Sequence, residues 1–558
     1  MNKVNLKQVK KQYNITLHKV NRELLSEIPN DYLISLNRSI DSIDELVIEI
    51  PNISIDKSDY RLNENYIYNN LKKERLICID DSEYFVIKDI EITINGNYEV
   101  KKITAYSLEV KLSKIDISIE DTGIYLDKED LDLGIINLNE YMYDETGWRF
   151  AYIEDIVRYD IDEDGVKTDK LRWQESVNLS WYDFITKNIQ EEYGCVAIFD
   201  TYKKEISLYD IDSFGDNLQI VLGFDNYIKN LVKEESTNDI ITRLKLVGCE
   251  ELDIISHNPT GYDYIENYSY FINNGEMSHE LIDAMHKYNQ IVEFRSSIWS
   301  NLVEFKNKKN KELLKVKSEL FEIYETISAY KSMKDRYAAL NDIENEVIMS
   351  SKITKLNDRR TILEVELEDL EYFIEDTDLK IHEINILCRK ETATDEDGNL
   401  IFNDTLLNEL KEFIYYDTYS NDSFIQAKDL IEAGKRELKF RSIPTYSYSI
   451  DLVNFLKRAY MHPNRKEWNG ELGLGDIVSI YNKETQEESF LYFVGYIQNF
   501  KDGALSIDLS NKKMKNNNIK NIADLLGSAK RSLETIVNKR YLWNKQKYNR
   551  INLNQEVL

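Results

Sequence analysis

Apolar and polar residues alternate along the stretch from Tyr84 to Leu112: Ile90, Ile92 and Ile94 stand against Glu91 and Thr93, and the run then meets Asn95-Gly96-Asn97. A period of two marks a strand with one buried face, and Asn-Gly tolerates the positive φ angles of a tight hairpin turn. The returning strand is expected over 100–104. Glu45 to Ile50 (ELVIEI) and Arg75 to Ile79 (RLICI) read as further strands, with DDSE at 80–83 as the turn into Tyr84. Short strands at close spacing predict a β-barrel-like sheet domain over residues 1–118.

The pattern becomes mixed over 119–235. Asn178 is a candidate helix cap before SWYDFITKNIQEEY, in which Trp181, Phe184, Ile185 and Ile189 share one face, and Gly194 should end the helix. CVAIFDTYKKEISLYD then reads as strand, polar turn, strand. Residues 236–277 begin a further β region that resumes at 440–515, where YSYSIDLVNFL, GELGLGDIVSIY, SFLYFVGYIQNF and ALSIDLSN are strand-like. The intervening insertion, 278–439, has a different period. From Glu276 to Asp397 there is no Gly and no Pro. Leu313, Val316, Leu320, Ile323, Ile327 and Tyr330 recur at spacings of three and four. After a polar break at 341–351 a second register follows: Ile353, Leu356, Leu363, Leu367, Leu370, Ile374, Ile381 and Ile384. This spacing is that of helices winding on one another, and two registers predict an antiparallel coiled-coil hairpin rather than one rod. ATDEDGN at 393–399 closes the insertion as a turn. The segment 516–558 reads as a polar helical tail with Leu525, Leu526, Leu533 and Ile536 on its apolar face. The fold class expected is therefore α+β and multidomain, with barrel-like β domains, a mixed domain and a long inserted helical hairpin.

A chain of 558 residues with 42% apolar residues and 38 Tyr can build several cores. Its net charge of −29 argues against a nucleic-acid or anionic-membrane binder, which needs basic surface to release counterions. That charge serves solubility, or makes a surface past which DNA slides without sticking. Cys78, Cys195, Cys249 and Cys388 are widely separated and form no C-x-x-C pair, so they read as small buried residues. The first twenty residues are basic without an apolar core, unlike a secretory signal, and no apolar run reaches the roughly 18 residues of a membrane span. A soluble protein made in a cytoplasm is expected.

Chemistry is sparse. His382-Glu383 begins like H-E-x-x-H, but Ile386 stands where the second imidazole should be, so no zinc site results. His279 and His286 lie seven apart on a predicted helix with no ligand partner suggested by spacing. Asp121-Thr122-Gly123 has the letters of an aspartic-protease motif without its apolar strand context, and reads as a turn, as does Glu145-Thr146-Gly147. Asp160, Asp162, Asp164 and Gly165 match the first half of a calcium loop. Leu171 occupies the position of its bidentate Glu, so a solvated Asp-Gly turn is the favoured reading beside a weak calcium site. No catalytic, cofactor-binding or metal residue is assigned, and no cofactor is expected.

Three segments carry a family resemblance. The strand pair ending KKITAYSLE (101–109) comes first. The second and most specific is Ile241 to Leu244 with Gly248, then Asn258 to Gly261, Tyr264, Ile265, Ser269, Tyr270 and Phe271. The third is LGLGDIVSI at 472–480. In this order they resemble the tail-tip hub proteins of tailed phages, a family also labelled tail-associated protein or prophage tail endopeptidase. The resemblance spans nearly the whole chain apart from the helical arm. It implies a homotrimer in which two β domains per subunit form a pseudo-sixfold ring capping the tail tube. The implied partners are the distal tail protein or last tube ring, and the tape-measure protein. The implied location is the virion tail tip, after assembly in the bacterial host cytoplasm. The endopeptidase label finds no support in the residues. Any enzymatic activity in such families sits in domains after the hub, and the polar tail is expected to hold none. Two alternatives stay open: a cell-wall-degrading peptidase or glycosidase, for which two carboxyls suffice, and a coiled-coil adhesin that meets the host surface through the arm.

Overall fold

The computed structural model describes residues 3–5, 12–40, 42–55, 62–96, 98–131, 134–161, 166–223, 228–395, 397–452, 471–482, 487–501 and 503–512. The predicted polar tail and the 453–470 stretch of the closing β region lie outside them.

The largest element is a 13-stranded sheet, and it is open. From one edge its order runs Ile228–Ser236, Thr445–Leu452, Leu505–Ser510, Glu487–Asn499, Leu33–Ser39, Ser42–Pro51, Tyr98–Ser107, Glu83–Asn95, Leu76–Ile79, Ile15–His18, Leu24–Glu27. Asn217–Leu222 joins from the side through Ile477–Asn482. The expected barrel-like domain does not close: among the described residues the two end strands do not pair. Sequence-distant halves meet where Glu487–Asn499 pairs with Leu33–Ser39, Gly495 opposite Ser39. A Cβ on Gly495 would lie 3.0 Å from the Arg38 carbonyl oxygen, so the strands approach closely here because the residue is glycine.

Alternation explains the N-terminal strands. Leu46, Ile48, Ile50, Ile77, Phe85, Ile87, Ile103 and Ala105 face one core, while Leu76, Cys78, Tyr84 and Val86 face a second one. The hairpin forms as predicted, with Asn95 opposite Tyr98 and Gly96 at φ 66°. Its outer half departs from expectation: Ile92 and Ile94 are exposed. On the side of Leu76–Ile79, whose ladder ends at Val86, no strand among the described residues accompanies the outer half of Glu83–Asn95, which pairs there with Tyr98–Ser107 alone.

The second core belongs to the mixed region. The helical run over 181–193 buries Trp181, Phe184, Ile185 and Ile189 completely. Its cap is Ser180, whose hydroxyl oxygen accepts from the Asp183 N–H, because Asn178 still belongs to the strand Arg172–Ser180. The central turn, Phe184–Ile189, is π-type. Gly194 ends the run at φ 64°, and the strands Cys195–Asp200 and Glu205–Asp210 follow as read.

The insertion is an antiparallel pair of long helices, His279–Ala339 and Ile343–Leu387. Val316, Leu320, Ile323 and Ile327 pack on Leu363 and Leu370, with Leu313, Ile353, Leu356 and Leu367 beside them. The turn is shorter than the predicted polar break. Asn341 takes φ 53° and Asp342 caps the second helix by accepting from the Asn345 N–H. No helix among the described residues is long and apolar enough to cross a membrane.

Candidate functional site: the arm socket and a buried acidic junction

The turn Asn258–Gly261 organises the root of the arm. The Asn258 amide donates to the carbonyls of Tyr262 and Tyr264, both at 2.9 Å, while its oxygen accepts from the Thr260 hydroxyl at 2.9 Å. An Asn in this place substitutes its side chain for backbone partners and fixes the turn. Gly261, at φ 66°, presses on the second arm helix: a Cβ there would sit 3.2 Å from the Cβ of Asn385. The Tyr262 hydroxyl donates to Glu391 at 2.5 Å. Below the turn, Glu266 accepts from Arg243 (2.7 Å), from the Tyr268 hydroxyl (2.7 Å) and from buried Lys390. Burial pushes the Glu266 carboxyl up, but Lys390 and Arg243 outweigh it and hold it below its usual range. Strand Arg243–Val247, strand Tyr264–Glu266 and the residues just after the second arm helix are thereby locked together. The motif residues Asn258, Gly261 and Tyr264 are the socket into which the arm is set. A cleft of about 580 Å³ opens beside it, bordered by Tyr264, Tyr268, His286, Asn289 and Lys390.

A second polar constellation lies between the sheet and the mixed region. Arg38, buried, is bracketed by Glu83 and by Asp44, whose carboxylate is 3.6 Å away. Glu109, also buried, accepts from the Ser107 hydroxyl through one oxygen, and its Oε2 has no hydrogen-bond partner. Desolvation, reinforced by the neighbouring acids, pushes Asp44 up to about 7 and Glu109 up to about 8. Glu83 is driven up by burial and down by Arg38, and ends below its ordinary value. The cavity they share with Thr186 and Thr201 holds about 40 Å³, room for water but not for a sugar ring or a peptide. These acids are 26 to 65 residues apart in sequence, and no spacing rule links them.

The residues singled out from sequence fall elsewhere. His279, His286 and His382 are exposed on the arm helices. Asp121-Thr122-Gly123 is not a turn: it lies within strand Asp116–Tyr125, whose register with Arg172–Ser180 is the same on both sides of it; Asp121 takes φ 47° and accepts from the Trp173 indole N–H at 3.2 Å. Glu145-Thr146-Gly147 ends the helix Leu138–Thr146, with Gly147 as its left-handed cap. Asp160 belongs to the short strand Tyr159–Ile161, whereas Asp162 and Asp164 lie outside the described residues. Among the described residues no group of three His, Cys, Asp or Glu is arranged to hold a metal ion. Cys78, Cys195 and Cys388 are buried and Cys249 is partly buried, and none of the four is in a disulfide among the described residues.

No family model matches the chain. It is similar to the SPbeta prophage-derived uncharacterized protein YomG of Bacillus subtilis (strain 168), with 23% identity over 361 residues, 60% of this chain. The chain spans about 38% of the length of that curated relative. Among solved structures it is similar to the prophage tail protein gp18 from Listeria monocytogenes EGD-e, at 11% identity and a TM-score of 0.40, covering 93% of this chain and 99% of that one. It is also similar to the prophage MuSo2 43 kDa tail protein from Shewanella oneidensis, at 7% identity and a TM-score of 0.40, covering 90% and 98%.

Proposed function

We propose that this chain is a structural component of a phage or prophage tail tip: a trimeric hub that caps the tail tube and joins it to the distal tail and tape-measure proteins. The observation that carries the reading is the run Ile241 to Phe271, whose order of residues resembles the hub family and whose Asn258, Gly261 and Tyr264 do structural work at the arm socket. The similarity to a prophage-derived chain over 60% of this sequence supports it. So do the outer edges of the two end strands of the open sheet, unpaired among the described residues, which neighbouring subunits in a closed ring would cover. Three copies of a −29 chain would surround a negative channel through which DNA moves without sticking.

The role is structural rather than catalytic. The pair of raised carboxyls, Asp44 and Glu109, is the arrangement nearest to a glycosidase dyad, but its cavity of about 40 Å³ admits no polymer substrate. The test is the mass of the purified protein in solution together with images down any symmetry axis. A trimer with a sixfold-looking ring is expected. A monomer, alone and with its tail-tube partner added, overturns the reading.

A further inference from the structure

The arm carries more apolar surface than its own seam covers, and that surface is patterned. On the second arm helix Val365, Tyr372, Leu379 and Ile386 recur every seventh residue on the side away from the first helix, and Tyr372 and Leu379 are 67% and 62% exposed. On the first helix Leu314 and Phe321, also seven apart, are 67% and 65% exposed. Apolar residues at heptad spacing are covered by another α-helix running alongside, which takes them as knobs into its holes.

Charge tells the two stripes apart. Residues 306–317 of the first helix hold six Lys and one Glu; residues 364–378 of the second hold eight acids and no base. Some of these pair within the hairpin: Lys306 with Asp378 at 2.5 Å and Lys317 with Glu371 at 3.0 Å. Those pairs also place the two stretches at the same height along the arm. Lys308, Lys311 and Lys315 on one side, and Glu366, Glu368, Asp369 and Glu375 on the other, make no ion pair among the described residues. On the first helix Leu314 thus stands among free cations, whereas Phe321, one heptad further on, has Lys317 on one side and Glu322 and Glu325 on the other; level with them, the second helix presents an apolar stripe flanked by free anions.

We propose that the arms of neighbouring copies of this chain pack side by side. The apolar stripe of the first helix (Leu314, Phe321), basic at its Leu314 end, lies against the acidic stripe of the second helix (Val365, Tyr372, Leu379) of the next copy. The contact is head-to-tail: like stripes facing each other would set acid on acid or lysine on lysine. Because the stripes are level, rotation without translation brings them together, and such a contact closes into a ring instead of growing into a filament. This rests on the trimeric reading above and extends it, making the arms one closed bundle rather than three separate projections.

The test uses the full-length chain. Leu314→Cys and Tyr372→Cys variants, co-expressed with different tags and then oxidised, should give a disulfide-linked mixed species, while each variant alone and the wild-type chain should give none. A trimer by mass that yields no mixed disulfide, or Tyr372→Cys linking to itself, overturns the arm packing and leaves the hub reading standing. Absence of any trimer overturns both. Independently, Lys308, Lys311 and Lys315→Glu should weaken association about tenfold at unchanged helix content. Adding Glu366, Glu368 and Asp369→Lys to the same chain should restore it. Association indifferent to both sets also overturns the proposal.

Discussion

The body and the arm bury apolar residues in different ways. Around the helical run 181–193, Trp181, Phe184, Ile185 and Ile189 are enclosed by strands and short helices of the same chain. Along the arm, Val316, Leu320, Ile323 and Ile327 face Leu363 and Leu370 in a single seam, while Phe321 and Tyr372 point outward. A lone two-helix hairpin has one shared face and cannot bury a second stripe, however regular its spacing. The core around 181–193 is complete within one chain, and the arm is half of a larger unit.

That contrast can be broken most sharply in the body. Arg172 is buried, its Nη1 2.5 Å from buried Asp429 and its guanidinium over the rings of Tyr193 and Phe424. Asp429→Ala strands that charge and is expected to cost about 3–5 kcal/mol, read as a lowered thermal midpoint of the near-ultraviolet aromatic signal. In the arm, Leu363 is the most enclosed seam residue, and Leu363→Ala should cost about 2–5 kcal/mol. The expected readout is early loss of far-ultraviolet helix signal with the body's aromatic signal intact. Coincident loss of both would show arm and body to be one cooperative unit.

A pH series sharpens the comparison from the other side. Asp44 and Glu109 have folded pKa values raised to about 7 and about 8, so the folded chain holds protons that the unfolded chain has released. Their contribution to stability is therefore fully present below the ordinary carboxylate range and is lost as pH rises to the folded values. The expected slope is about 1.4 kcal/mol per pH unit for each group between its ordinary value and its folded one, levelling off above about 7 for Asp44 and about 8 for Glu109. Arg38, Glu83 and Tyr496 face the same site and set the size of the effect. Urea midpoints from pH 5 to 9 should show this decline in the body, and Glu109→Gln should flatten it. The smallest effect is expected at the outward stripe: Phe321→Ser or Tyr372→Ser should change the stability of an isolated subunit by no more than about 0.5 kcal/mol.

Legibility in the sequence follows the same division. Most of the arm seam could be read from the sequence, because a three-four spacing over dozens of residues has one physical meaning, although Tyr330, Ile374, Ile381 and Ile384 are only half-buried outside its cluster; the outward stripe was hidden by the stronger signal beside it. The hairpin at Asn95–Tyr98 was legible from its turn. Its exposed Ile92 and Ile94 were not, because alternation reports two faces without saying whether a neighbour covers either. Ser180 displaced Asn178 as cap because strand pairing runs on to residue 180, which a local pattern does not reveal. The acidic junction was invisible: Asp44, Glu83 and Glu109 meet only through tertiary pairing. The Asn258–Gly261 turn was legible as a turn, and its role as the arm's socket needed Asn385 and Glu391 in place.

The joint at Gly495 has a consequence for biosynthesis. Strand Leu33–Ser39 finds its neighbour in Glu487–Asn499, roughly 450 residues later. At elongation rates of about 5–20 residues per second, one side of that strand waits roughly 20 to 90 s on the ribosome for its partner. Leu33 and Leu36 are sheltered meanwhile by the N-terminal core, which needs only residues near them. The open backbone edge has no such shelter. Nascent chains emerging side by side from one message would therefore meet edge to edge before the sheet is complete, and the order in which that edge is filled decides between the native protein and its aggregates.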